Sequence, residues 1–189
     1  MAKMDPASIS SVAQPPHVVV GMCGSTGIAL APLYLMNIAI SYPMIDVQVV
    51  MSRTASSFVP KSTMEQFAHV VTESPINHIT LADWADLIVV IPATADFLAR
   101  VAAGLADTDL SLLAITHDRP LLIFPNMSSA MWKNPRVQEN VSRVRQFGHT
   151  VVEPIEGPMF ESATRQLTTG HVMPDPDVFA AMVAKKVSG

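Results

Sequence analysis

The chain has 189 residues, 49% of them hydrophobic and only 15% charged, with a formal net charge of −4. That length suits one domain with a sizeable core, and the absence of a basic stripe argues against a nucleic-acid partner. A single cysteine, Cys23, excludes an intrachain disulfide and points to a cytoplasmic protein. No apolar run is long enough for a membrane span, and residues 1–16 lack the apolar centre of a secretory signal and read as a mobile tail. So apolar a composition favours burial of surface against further copies of the chain.

From His17 onward, strand-like and helix-like stretches alternate. His17–Met22 reads as a short strand running into G-M-C-G-S-T-G at 21–27, and residues 28–40 follow as a mostly apolar, buried helix. Asp46–Met51 is a second strand. Ser62-x-x-Glu65 has the form of a capping box and predicts a helix to about Val71. Residues 87–91 are all apolar, as in a strand buried on both faces of a parallel sheet. A helix over 96–103 is closed by Gly104, and 121–124 is the next buried strand. Asn134-Pro135 supplies an N-cap and a first-turn proline, with Gly148 placed to end that helix. Residues 151–152 form a short strand, 153–169 show no clear period and read as a long loop or flap, and Asp175-Pro176 opens a last helix. The alternation predicts an α/β, doubly wound, Rossmann-like fold, with a mainly parallel sheet and helices on both faces, in one domain over 17–189.

In such sheets ligands bind beyond the carboxyl ends of the strands, where four segments of this chain fall. In the first, Gly24, Ser25 and Thr26 can receive a phosphate, though a tight strand-to-helix turn explains the same glycines. The second, M-S-R-T-A-S-S-F from Met51, clusters hydroxyls beginning with Ser52, which ordinary loop polarity also explains. In the third, I-P-A-T-A-D-F from Ile91, Thr94 and Asp96 can bond the polar edge of a ring while Ala93 and Ala95 let it lie close. Asp96 reads equally as a helix N-cap. The fourth, F-P-N-M-S-S-A-M-W from Phe124, has Met and Trp side chains that either pack the core or wall a planar ligand. Among six histidines, His78 in P-I-N-H-I-T-L is the one that precedes a candidate segment, and a structural role is the commoner fate of a lone histidine. No histidine pair has metal-ligand spacing, so no metal is expected, and the absence of G-x-S-x-G leaves serine hydrolysis without support.

Together these segments resemble the homo-oligomeric flavin-containing cysteine decarboxylases, whose branches are the epidermin-type peptidyl-cysteine decarboxylases and the phosphopantothenoylcysteine decarboxylases. I-N-H-I at 76–79 resembles the family's active-site histidine segment. P-A-T-A-D at 92–96, continued by A-R-V-A-A-G-L-A-D, resembles its PASANT-type flavin motif, and P-N-M-S-S-A-M-W at 125–132 resembles its P-x-M-N-x-x-M-W motif. The resemblance implies FMN (FAD being the alternative) held between subunits of a homo-oligomer, either trimers or a dodecamer assembled from trimers. It implies Gly24, Ser25, Thr26, Ser52, Thr94, Ala95, Asp96 and Phe97 around the flavin, and His78 as catalytic base. Asn126, Met127 and Ser128 would meet the substrate, with Arg165 in a substrate flap at about 153–172.

Two departures from the family pattern bear on the branch. Ser128 stands where the family has an asparagine expected to hold the substrate carboxylate, and serine offers a single donor. The flap carries no cysteine, whereas the coenzyme A branch has one there that completes a reduction. The second departure favours the peptidyl branch, with a precursor peptide ending in cysteine as partner and an aminoenethiol as product. The alternatives are phosphopantothenoylcysteine decarboxylation and a non-catalytic flavin-binding regulatory protein of the same fold. A flavin prenyltransferase has a similar sheet, but the His78 segment argues against it.

Overall fold

The structure is a computed structural model that describes residues 14–71, 76–161 and 164–188. The chain opens with β1 (His17–Met22) and, after the glycine segment, a 3-10 turn (Thr26–Leu30) leading into α1 (Ala31–Ser41). Then come β2 (Asp46–Met51), α2 (Arg53–Phe58), α3 (Lys61–Met64) and β3 (His69–Val71). The middle of the chain forms α4 (His78–Trp84), β4 (Leu87–Ala93), α5 (Ala95–Ala103) and α6 (Asp109–Thr116). It continues through β5 (Leu122–Pro125), α7 (Ser129–Trp132), α8 (Pro135–Gln146) and β6 (Thr150–Val151). Two longer strands, β7 (Ile155–Glu161) and β8 (Gln166–Val172), precede the last helix, α9 (Pro176–Val187).

Strands β1 to β6 form one sheet in the order 3-2-1-4-5-6, and all five neighbouring pairs are parallel. Alternation along β1 sorts the core. Val18, Val20 and Met22 face α1, α3 and α9, while Val19 faces α4, α5, α6 and α8. Strand β4 is buried at every position, as its all-apolar run requires, and each fully buried Val or Ile there contributes about 1.5–3 kcal/mol. Helices on both faces make the doubly wound arrangement that the alternation predicts. Chain order reverses between β1 and β4, which opens a crevice at their carboxyl ends.

Several local expectations are corrected. Ser62 does not cap a helix to Val71: α3 starts after Pro60 and stops at Met64, and the chain has become β3 by His69. Residues 153–169 are not a structureless loop. β7 and β8 pair antiparallel over seven positions, from Ile155 opposite Val172 to Glu161 opposite Gln166, as a hairpin separate from the main sheet. Helix α6, unmarked in the sequence reading, is held by a box in which Thr108 and Ser111 each bond the other's backbone N–H, at 3.2 and 3.0 Å. Gly104 and Gly148 take positive φ (69° and 91°) at helix ends, as their placement foretells. Of the tail predicted over 1–16, only the last three residues are among those described.

Candidate functional site

Three backbone bonds stitch the loops at the sheet's carboxyl edge together. Ser52 N–H donates to Met22 (2.9 Å), Cys23 N–H to Pro92 (3.0 Å) and Asn126 N–H to Ala93 (2.8 Å), so all four segments meet along one rim. Contacts within the rim require its glycines. A Cβ on Gly24 would sit 2.3 Å from Thr54 Cγ2, and one on Gly27 would sit 2.6 Å from Asn126 Oδ1. Ser25 then donates its hydroxyl to Asn126 Oδ1 at 2.8 Å, joining the first segment to the fourth.

Beneath this rim lies a cavity of about 1030 Å³ built from the loops after β1, β2 and β4 and from residues 107–110. Gly24, Ser52, Thr94, Asp96 and Phe97, all expected around the cofactor, line it. Three of its hydroxyls also cap helices: Ser52 accepts from Ala55 N–H (3.1 Å), Thr94 from Phe97 N–H (3.3 Å) and Thr108 from Ser111 N–H (3.2 Å). Capping occupies an oxygen lone pair and leaves the O–H to donate outward. The N-cap of α5 is therefore Thr94, while Asp96 pairs with Arg100 at 2.8 Å. Arg100 also pairs with Asp107, holding that carboxyl below the usual carboxylate range. Phe97 and Leu110 belong to the core below and give the cavity an apolar floor.

Not every expected residue reaches the cavity. Ser25, Thr26 and Ala95 lie beside it, with Thr26 exposed at the start of the 3-10 turn. His78 is the first residue of α4, half-buried, and does not line the cavity of its own chain; Asn77 ahead of it caps the helix by accepting from Thr80 N–H (3.2 Å). Met127 is packed in the core with Ile123 and Trp132. Ser128 is exposed and caps α7, accepting from Met131 N–H at 3.4 Å. Arg165 sits exposed in the hairpin turn with φ 55°. Cys23 lines the cavity but is buried, and burial pushes its thiol up to about 11, so it is a packed neutral thiol.

Arg53, Thr54, Ser56, Lys61, Arg100 and Thr108, none of them among the residues expected from sequence, also line the cavity. Arg53, Thr54 and Ser56 were legible as part of the hydroxyl-rich second segment. Nothing local marks Lys61 or Thr108, which only the fold brings to the site. The donor set fits a flavin: hydroxyls and amides suit the polar edge of a ring, an apolar floor suits its face, and Arg53 and Lys61 suit a phosphate.

A doubly wound sheet whose carboxyl edge opens into a cavity of this chemistry defines a protein that binds a planar, phosphate-bearing cofactor. The chain belongs to the Flavoprotein family, whose model matches residues 7–187. Mersacidin decarboxylase from Bacillus sp. (strain HIL-Y85/54728) is 32% identical over 178 residues, spanning 90% of this chain and 91% of that protein. The coenzyme A biosynthesis bifunctional protein CoaBC of Bacillus subtilis (strain 168) is 34% identical over 145 residues, but the match spans 72% of this chain and only 36% of that protein. Among solved structures, MrsD from Bacillus sp. HIL-Y85/54728 superposes with a TM-score of 0.78 at 28% identity, covering 92% of this chain and 97% of that one. The FMN-dependent cysteine decarboxylase SpaF superposes with a TM-score of 0.73 at 27% identity, covering 90% and 97%.

Proposed function

We propose that this protein is a flavin-dependent peptidyl-cysteine decarboxylase that converts the C-terminal cysteine of a precursor peptide to an aminoenethiol during synthesis of a ribosomally made peptide natural product. The observation that carries the proposal is the end-to-end match with mersacidin decarboxylase, set against the coverage of about a third of CoaBC. The lack of any cysteine in β7 or β8 agrees with it, since the enethiol is then the end point.

The cofactor is FMN, by likeness to SpaF. Ser52, Thr94 and the Gly24–Thr26 segment would hold it, with Ala95, Asp96 and Phe97 beside the ring. What a bound oxidised flavin supplies is acceptance of the two electrons that leave the cysteine side chain. The substrate is then a thioaldehyde whose C=S lies β to the carboxylate, so CO₂ departs with an electron sink in place. His78 takes the proton from the thiol or its carbon. Asn126 and Ser128 donate to the carboxylate, and the hairpin, bearing Arg165, closes on the peptide. Because His78 stands outside the cavity of its own chain, a neighbouring copy in a homo-oligomer completes the site. The protein works in the cytoplasm, where such a precursor is made; among the described residues no helix is long and apolar enough to cross a membrane.

The test is incubation of the flavin-loaded protein with cysteine-ended peptides, read by mass spectrometry. Decarboxylation to the enethiol removes about 46 Da, CO₂ plus two hydrogens. Loss of CO₂ alone from phosphopantothenoylcysteine, with peptides untouched, would instead place the chain in the coenzyme A branch.

A further inference from the structure

The hairpin β7–β8 stands apart from the main sheet, and most of its side chains are exposed, including Ile155, Phe160 and Leu167. Its seating on the body falls at the base of β8. There His171 Nδ1 and Ser129 Oγ form a 2.9 Å hydrogen bond across 42 positions of sequence. The His171 ring centroid also lies 6.3 Å from that of the buried Trp132. Gly170, the buried residue of this strand, brings its backbone against the same turn: a Cβ there would lie 3.4 Å from Ser129 Oγ and would collide with Met159. Both partners of the bond therefore belong to places of consequence. Ser129 follows Ser128 in the turn that opens α7, and His171 lies one residue before the end of β8, where the hairpin rejoins the body.

We infer that His171 is a positioning residue that latches the hairpin to the Ser128–Ser129 turn and so sets the closed position of the substrate clamp. The inference rests on reading the hairpin as a clamp, but the latch itself does not depend on that reading. A hydroxyl can donate to or accept from an imidazole nitrogen, so the bond suits either ring tautomer. Where the Ser129 hydroxyl donates to Nδ1 its one proton is committed, and Ser128, beside its capping role, is then the adjacent hydroxyl able to donate to a substrate. The latch is the one side-chain hydrogen bond between the hairpin strands and this turn among the described residues.

The test uses the flavin-loaded protein with His171→Phe, Ser129→Ala, both together, and His171→Asn, whose amide reaches the Nδ1 position. Arg165 is the only lysine or arginine of 153–172, so the rate of trypsin cleavage there reports hairpin opening without substrate. Cleavage accelerates roughly three- to tenfold in each single variant, the range that one hydrogen bond supports. It accelerates no further in the double variant and returns to the parent rate in His171→Asn. The KM for a cysteine-ended peptide rises by a similar factor, while kcat changes less than about twofold. Unchanged cleavage in the single variants, multiplying effects in the double, or accelerated cleavage with an unchanged KM would each overturn the inference. Should the parent protein turn over no peptide at all, the functional reading fails and the cleavage rates alone decide the latch.

Discussion

Ser25 and Asn126, 101 positions apart, are joined by a 2.8 Å hydrogen bond in which the serine hydroxyl donates to the amide oxygen of Asn126. This fixes the amide's orientation. With Oδ1 engaged, the two Nδ2–H bonds remain to donate, which is what a carboxylate needs. On the proposed function, Asn126 would supply the donors that Ser128, in place of the asparagine expected there, lacks. Asn126→Asp keeps an acceptor for Ser25 and removes those donors. Flavin absorbance should be retained while the KM for a cysteine-ended peptide rises about tenfold or more, as expected for hydrogen bonds to a charged group. Equal peptide binding by parent and variant, measured by titration, would assign the carboxylate elsewhere.

His78→Asn should leave the flavin bound and lower turnover by at least about a hundredfold, the usual weight of a general base. Since His78 does not line its own chain's cavity, a mixing experiment separates its contribution from the cofactor's. A Gly24→Val variant, which would drive a side chain into Thr54, should fail to retain flavin. Co-expressed with His78→Asn, it should give mixed oligomers with partial activity, each variant supplying what the other lacks. Mixed oligomers as inactive as either parent would mean that each site draws on one chain.

The sheet was legible because β1, β2, β4 and β5 announce themselves as short apolar runs, with Gly104, Gly148 and Asn134-Pro135 marking helix ends. Helix α6 was not, because its box pairs two hydroxyls, Thr108 and Ser111, instead of the Ser-x-x-Glu pattern. That same pattern misled at Ser62, where the pull of β3 into the sheet ends the helix after one turn. The hairpin hid because Gly157, Pro158 and Gly170 break the alternation of its strands. At the site, the residues legible in the sequence sit at strand ends. Lys61, Thr108 and the His171–Ser129 bond were not, because each depends on chain crossings that no local pattern encodes.

Ser128 caps α7 through Met131 N–H, and asparagine is as good an N-cap as serine. Ser128→Asn should therefore leave stability within about 0.5 kcal/mol and, by restoring an amide to the turn, lower the peptide KM. Ser128→Ala removes the cap and should cost about 1 kcal/mol in a urea titration. A loss of turnover in Ser128→Asn would mean that this active site is built around the smaller hydroxyl.

Cys23 lines the cavity wall yet is buried, and its thiol is raised to about 11. At pH near 8 its thiolate is scarce, so alkylation by iodoacetamide in the folded protein should run about a hundredfold slower than for a free cysteine. Unfolding in urea should restore the normal rate. Rapid labelling of the folded protein would show the cavity wall opening at this point.

Two histidines near the amino ends of β5 and β6 should make stability pH-dependent. His117 is buried, with Nδ1 donating to the Ala82 carbonyl at 3.2 Å, while its Nε2 is buried without a partner among the described residues. A proton on Nε2 would have no acceptor. His149 Nδ1 accepts from Leu121 N–H at 3.1 Å, a bond that protonation at that nitrogen would forfeit. Burial holds both imidazoles below their usual value of 6.5. The His149 imidazole lowers further through His117, and at His117 Arg119 adds to the lowering, against the Ala82 carbonyl and the Asp118 and Asp86 charges. The unfolded chain therefore binds protons that the folded chain refuses, and stability falls as pH drops below about 6.5, continuing until the folded values are passed. Urea midpoints measured between about pH 7.5 and 5.5 should decline, and His117→Gln, which keeps a donor for Ala82, should flatten the decline. A midpoint in the parent protein that is level across this window would mean that neither ring resists protonation on folding.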